Sequence, residues 1–96
     1  MTNSWGVPEE LEKQIRERDK VCVYCGKEFV GDDEIEHIDN NVKNISLENI
    51  AICCSGCNRS KSNKSLLEWL KSDWCKQKNI TIETVAPVIK NYLRTQ

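Results

Sequence analysis

The stretch from Asn49 to Lys61, "NIAICCSGCNRSK", changes character three times. Ile50 to Cys53 form a short apolar run, which reads as a buried strand. Cys54-Ser-Gly-Cys57 follows with no spacer, and Asn58 then opens a basic, serine-rich segment expected to be helical. The same thiol spacing occurs upstream at Cys22-Val-Tyr-Cys25 in "VCVYCGK", where Gly26 supplies the backbone freedom of a tight turn. Two such pairs, separated by 28 residues, bring the chain back on itself. They would close a tetrahedral site of four thiolates, Cys22, Cys25, Cys54 and Cys57, for structural zinc. Four thiolates leave no open position, so this site is a staple and not a reaction centre. Cys53-x-x-x-Cys57 is the competing pairing. The repeated spacing favours Cys54, and neighbouring strand residues face opposite ways, so one of the two cysteines faces the metal and the other the core.

The composition agrees with a metal staple. Ninety-six residues make one small domain, near the size at which a hydrophobic core alone is marginal, and six cysteines are available to help hold it. The start "MTNSWGVPEELEK" lacks the basic-then-apolar pattern of a secretory leader, and no stretch is long enough to span a bilayer. A soluble, cytoplasmic protein with no membrane partner is therefore expected. In a reducing compartment, paired Cys-x-x-Cys motifs act as metal ligands rather than disulfides. The formal net charge is -1, yet residues 1–40 carry 11 acidic and 5 basic side chains while residues 41–96 carry 4 and 9. A basic half can bind a polyanion even when the whole chain is near neutral, because the relevant potential is local.

Around these motifs the periodicity predicts few elements. Pro8-Glu9-Glu10 suits a helix start, and Leu11 and Ile15 lie one turn apart, so a helix is expected from about Pro8 to about Asp19. "EIEHI", from Glu34 to Ile38, alternates apolar and polar residues and should pair antiparallel with Ile50 to Cys53. "DNNVKNISLEN" between them is too polar for a core and reads as the surface loop of a long hairpin. Downstream, Leu66, Leu67, Leu70 and Trp74 share one helical face with Trp69 near its edge, and Cys75 reads as a small buried hydrophobe. Val85, Val88, Ile89, Tyr92 and Leu93 share the face of a final helix, with Pro87 near its start. The fold class is a small α+β domain.

The order Cys-x-x-Cys, Glu-His-Ile, Asn, Cys-x-x-Cys-Asn-x-x-Lys, running from Cys22 to about Asn63, resembles the HNH endonucleases. That resemblance implies a ββα-metal (His-Me finger) core over about residues 20–65, stapled by the four-cysteine zinc site. Helices would flank it, the C-terminal ones over about 66–96, in a single HNH nuclease domain spanning 1–96. It further implies that His37 is the general base, that Glu36 and Asn58 hold one catalytic divalent ion, and that Asn49 holds the loop and orients the histidine. "CNRSK" corresponds to the family's closing motif and sets Lys61 near substrate phosphates, with Arg59 and Lys64 beside it.

The residues suit that chemistry in their own right. Phosphodiester hydrolysis needs a water-derived nucleophile, a base to take its proton, and a cation to stabilise charge on the phosphate and the leaving oxygen. Histidine is the natural base near neutral pH. Glu36 and Asn58 are oxygen donors with one negative charge between them, which suits Mg²⁺ or Mn²⁺. Adjacent residues of a regular strand face opposite sides, so Glu36 and His37 need a bulge or twist to meet one phosphate. The chain lacks the proline and glycine pair common after the family's base, and Ser62 stands where some members place a further histidine ligand. The implied partner is nucleic acid, namely DNA, and double-strand cleavage would need a homodimer, for which the C-terminal helices offer surface. The competing reading is a non-catalytic four-cysteine zinc module that binds nucleic acid or protein, which needs none of Glu36, His37 and Asn58.

Overall fold

Two short strands organise the chain in the computed structural model, which describes residues 6–96. β1 (Asp33–His37) and β2 (Ile50–Cys54) pair antiparallel from Asp33↔Cys54 to His37↔Ile50. Strand alternation then sorts their side chains. Ile35, Ile50 and Ile52 face one apolar cluster with Val7, Leu11, Ile15 and Phe29. Ala51 and Cys53 face the larger core, which holds Tyr24, Leu66, Trp69 and Ile89. Helix α1 (Glu9–Arg18) covers the first face and helix α2 (Ser55–Lys61) packs on the second.

A two-stranded sheet leaves two open edges, and the far edge of β2 is closed from α1 and the first cysteine turn. The Ile52 amide donates to the buried Asp19 carboxylate at 3.0 Å, and the Ile52 carbonyl accepts from the Val23 amide at 3.2 Å. The Arg18 guanidinium donates to the Ile50 carbonyl at 2.8 Å. These bonds seat β2 where its last residue, Cys54, enters the second thiol pair.

Helix boundaries follow the caps. α1 runs where the sequence predicts it, with Pro8 just before its first turn. α2 begins at Ser55, earlier than the expected start at Asn58, because extended Cys54 acts as its N-cap and accepts the Cys57 amide. Asn58 therefore projects from within the helix and not from its start.

The stretch expected as one helix after Leu66 is two, α3 (Leu66–Trp69) and α4 (Asp73–Lys78). Ser65 and Ser72 each accept an amide three residues on, at 3.2 and 3.3 Å, so Ser72 starts a new helix where periodicity alone continues the old one. The break turns Trp69 fully inward and leaves Leu67 52% exposed, reversing their expected places. α5 (Pro87–Arg94) has Pro87 at its first position, buries Val88 and Ile89, and rests Tyr92 and Leu93 on the core. No described helix is long and apolar enough to cross a membrane. The leader-free start read in the sequence lies partly outside the described residues.

Candidate nuclease site and metal centre

The two thiol pairs adopt the same local geometry. In each, the amide of the second cysteine lies 3.5 Å from the sulfur of the first: Cys25 N–H to Cys22 Sγ, and Cys57 N–H to Cys54 Sγ. The first turn is closed by bonds between Cys22 and Lys27 and between Gly26 and Cys22, and Gly26 has φ +76°, which costs glycine little. In the second pair Gly56 lies beneath the Trp74 ring, where a Cβ would come within 2.9 Å of it.

All four sulfurs lie within 4.8 Å of one another, and Cys25 Sγ and Cys54 Sγ are 3.8 Å apart. A tetrahedral ion with metal–sulfur bonds of about 2.3 Å separates its ligand sulfurs by about 3.8 Å, so the four donors fit such an ion. The hydrogen bond between Cys57 and Cys22 pulls the Cys22 thiol down to about 5 and pushes that of Cys57 up, and burial pushes the Cys25 thiol up to about 11. Cys53 is buried outside this cluster, where burial pushes its thiol well up, so Cys54 is the member of the adjacent pair positioned to bind a metal ion.

At the loop end of the hairpin a groove of about 220 Å³ brings together Glu36, His37, Asn40, Asn58, Ser62 and Asn63. The β1–β2 pairing carries no bulge. The strand instead ends at His37, and the chain reverses through Asn40, whose φ is +64° and whose amide donates to the His37 carbonyl at 2.9 Å. His37 is buried, and burial lowers its pKa, opposed by Asp39 and reinforced by Lys61. Asn49 pins the same turn from β2. Its Oδ1 accepts the Asp39 amide at 2.9 Å, its Nδ2 donates to the Asn44 carbonyl at 2.9 Å, and its carbonyl accepts the Ile38 amide at 2.8 Å.

Glu36 points toward α2 and is also buried. Its Oε2 accepts the Tyr24 hydroxyl at 2.8 Å and pairs with the Lys61 ammonium at 3.1 Å. Burial raises the Glu36 pKa, and Lys61 and Tyr24 partly reverse that. Lys61 also donates to Asn40 Oδ1 at 2.6 Å. Asn58 Nδ2 donates to Glu34 Oε1 at 2.7 Å, which leaves its Oδ1 as the atom able to serve as a ligand.

Residues 22–64 match the family model described as HNH endonuclease. That segment is similar to the HNH family. No curated protein and no solved structure matches the chain. The match starts at the first thiol ligand and ends three residues beyond α2, so it takes in the hairpin, the groove and the cysteine cluster together. The likeness suggests a nuclease-type or nucleic-acid-associated function, and the four cysteines of the segment are positioned to bind a metal ion.

Within this segment the groove is lined by two hard oxygen donors, the Glu36 carboxylate and Asn58 Oδ1, the donor chemistry that suits Mg²⁺ or Mn²⁺. Among the described residues no carboxylate joins a converging cluster of three or more metal-ligating side chains. One expectation is corrected. Lys61 is completely buried against Glu36 and Asn40 and cannot reach a substrate phosphate, whereas Arg59 and Lys64 are exposed.

The sequence reading also missed Tyr24, Glu34 and Asn40. Glu34 carried a signal, since it lies two residues before Glu36 on the same strand face. Tyr24 and Asn40 reach the site through tertiary contacts that no local pattern encodes.

The burial of Lys61 makes it a stability determinant. Lys61→Ala would leave Glu36 buried without its counter-charge, and breaking such a pair costs about 3–5 kcal/mol. Lys64→Ala, at an exposed position, should stay within about 0.5 kcal/mol of the parent. Urea unfolding of the two variants checks this, and equal midpoints would contradict the buried pair.

Proposed function

We propose that the domain is a metal-dependent endonuclease that hydrolyses phosphodiester bonds in DNA, with zinc in the four-cysteine site and Mg²⁺ or Mn²⁺ held by Glu36 and Asn58. The observation that carries this reading is one groove that gathers an imidazole, a carboxylate and an amide oxygen. His37 takes the proton of the attacking water through its ring. Because burial lowers its pKa, the imidazole is in the neutral, proton-accepting form at neutral pH. Asn49 holds the turn that follows His37 and so fixes the base relative to the phosphate. Glu36 and Asn58 would hold the divalent ion, which when bound would supply Lewis acidity for the phosphate and the leaving oxygen. Arg59 and Lys64, exposed on and just after α2, neutralise neighbouring phosphates.

One observation favours the second reading, a zinc module that binds without cutting: the Glu36 carboxylate already holds an ammonium, that of Lys61. Incubation with supercoiled plasmid separates the two. The endonuclease converts plasmid to the nicked circle when Mg²⁺ or Mn²⁺ is added and not in chelator, since one groove cuts one strand. A linear product appearing with the nicked one would point to a homodimer. Intact plasmid under all metal conditions would leave the binding module.

DNA affinity should fall steeply with salt, because phosphate contacts release condensed counterions. Replacing Arg59 and Lys64 together by alanine should reduce the slope of log K against log[salt] by about two, at about 0.9 per phosphate contact. A slope unchanged by the double substitution would remove both from the interface.

A further inference from the structure

We propose that Tyr24 is a positioning residue for the divalent-ion site, through which the four-cysteine turn sets the direction of the Glu36 carboxylate. The inference deepens the reading of Glu36 as a ligand and rests on it. Tyr24 lies between Cys22 and Cys25, so its backbone is fixed by the same turn that presents two of the four sulfurs. The turn is tied on both sides: the Val23 amide donates to the Ile52 carbonyl at 3.2 Å, and the Val23 carbonyl accepts the Ala86 amide at 2.9 Å. The ring is held edge-on against Trp69, with centroids 4.8 Å apart and an interplanar angle of 72°. From this anchored base the hydroxyl reaches across the core to Glu36 Oε2 at 2.8 Å.

Two donors from two elements therefore converge on one oxygen, Tyr24 from the cysteine turn and Lys61 from α2. A glutamate on a strand has three side-chain torsions, and an unclamped carboxylate would rotate freely at the groove wall. With Oε2 engaged twice, Oε1 is the oxygen that neither donor takes, and its direction is set by the clamp. Partners of this kind orient ligands, and losing them typically weakens metal binding or activity by about 10- to 100-fold. The zinc staple and the groove are thus linked by one side chain, and distortion of the staple would reach Glu36 through Tyr24.

Zinc-loaded parent, Tyr24→Phe and Glu36→Ala proteins would be titrated with Mn²⁺, the free ion being read by electron paramagnetic resonance. The phenylalanine keeps the ring against Trp69 and removes the hydroxyl alone. Expected is a Mn²⁺ site in the parent, an affinity lowered about tenfold or more in Tyr24→Phe, and no site in Glu36→Ala, with zinc content unchanged in all three. A Glu36→Ala protein that binds like the parent would overturn the ligand reading and the inference with it. Loss of the site in Glu36→Ala with parental affinity in Tyr24→Phe would overturn the inference alone.

Should Tyr24→Phe fail to fold, fluorotyrosine decides, because the chain holds two tyrosines, Tyr24 and Tyr92. Mg²⁺ should then shift the fluorine resonance of Tyr24 and leave that of Tyr92 in place. An unmoved Tyr24 resonance at saturating Mg²⁺ overturns the inference.

Discussion

Cys54→Ser should yield a chain that is unfolded and free of metal, whereas Cys53→Ser, one residue away, should retain both fold and metal. The contrast follows from strand alternation, which turns the Cys54 sulfur into the cluster and the Cys53 sulfur into the core. Structural zinc contributes roughly 10–16 kcal/mol of apparent binding free energy in zinc-finger peptides. A domain's whole stability is about 5–15 kcal/mol. Loss of one of four ligands therefore removes as much free energy as a domain of this size has. Serine at Cys53 instead places one hydroxyl in a dry core, at a cost of about 1–3 kcal/mol. The zinc-to-protein ratio and circular dichroism of the two variants report both quantities. Folded, metal-loaded Cys54→Ser would show that the four-thiolate assignment is wrong.

The cluster was legible in the sequence because its information is local. Two identical spacings, a glycine after the first pair and an apolar run before the second are enough to locate four ligands and the strand between them. The hairpin was legible for the same reason, from the alternation of Glu34 to Ile38 and the short apolar run from Ile50 to Cys53. What remained hidden depends on contacts between distant residues. A lysine three positions after an asparagine on a basic helix reads as a phosphate contact, and only the packing of α2 on β1 turns Lys61 inward to Glu36. The division of α3 from α4 rests on a single capping bond at Ser72, which competes with a helical pattern that continues through it. Of the bulge or twist expected in β1, the bulge is absent: the strand ends at His37 and Asn40 turns the chain.

The groove itself was partly legible. Glu36, His37 and Asn58 could be named from their order, but their partners could not, and the partners carry the electrostatics. Tyr24 and Lys61 fix one oxygen of Glu36, and Glu34 takes the amide hydrogen of Asn58, so each donor proposed for the divalent ion is oriented by a neighbour. That arrangement is costly to build from buried charges, and an isosteric apolar set would serve a purely structural domain as well.

His37 carries the central claim, since it is the residue a zinc module does not need. In the proposed mechanism it acts on the attacking water and on nothing else, and Asn49 holds its turn through backbone bonds that survive truncation of the ring. The decisive measurement is the rate at which parent and His37→Ala proteins, prepared side by side and matched for zinc content and DNA affinity, nick supercoiled plasmid in Mg²⁺ or Mn²⁺. Removal of a general base typically costs about 10²- to 10⁴-fold, so the variant should nick at least about a hundredfold more slowly than the parent. Nicking by His37→Ala at the parental rate would contradict the assignment of His37 as the base.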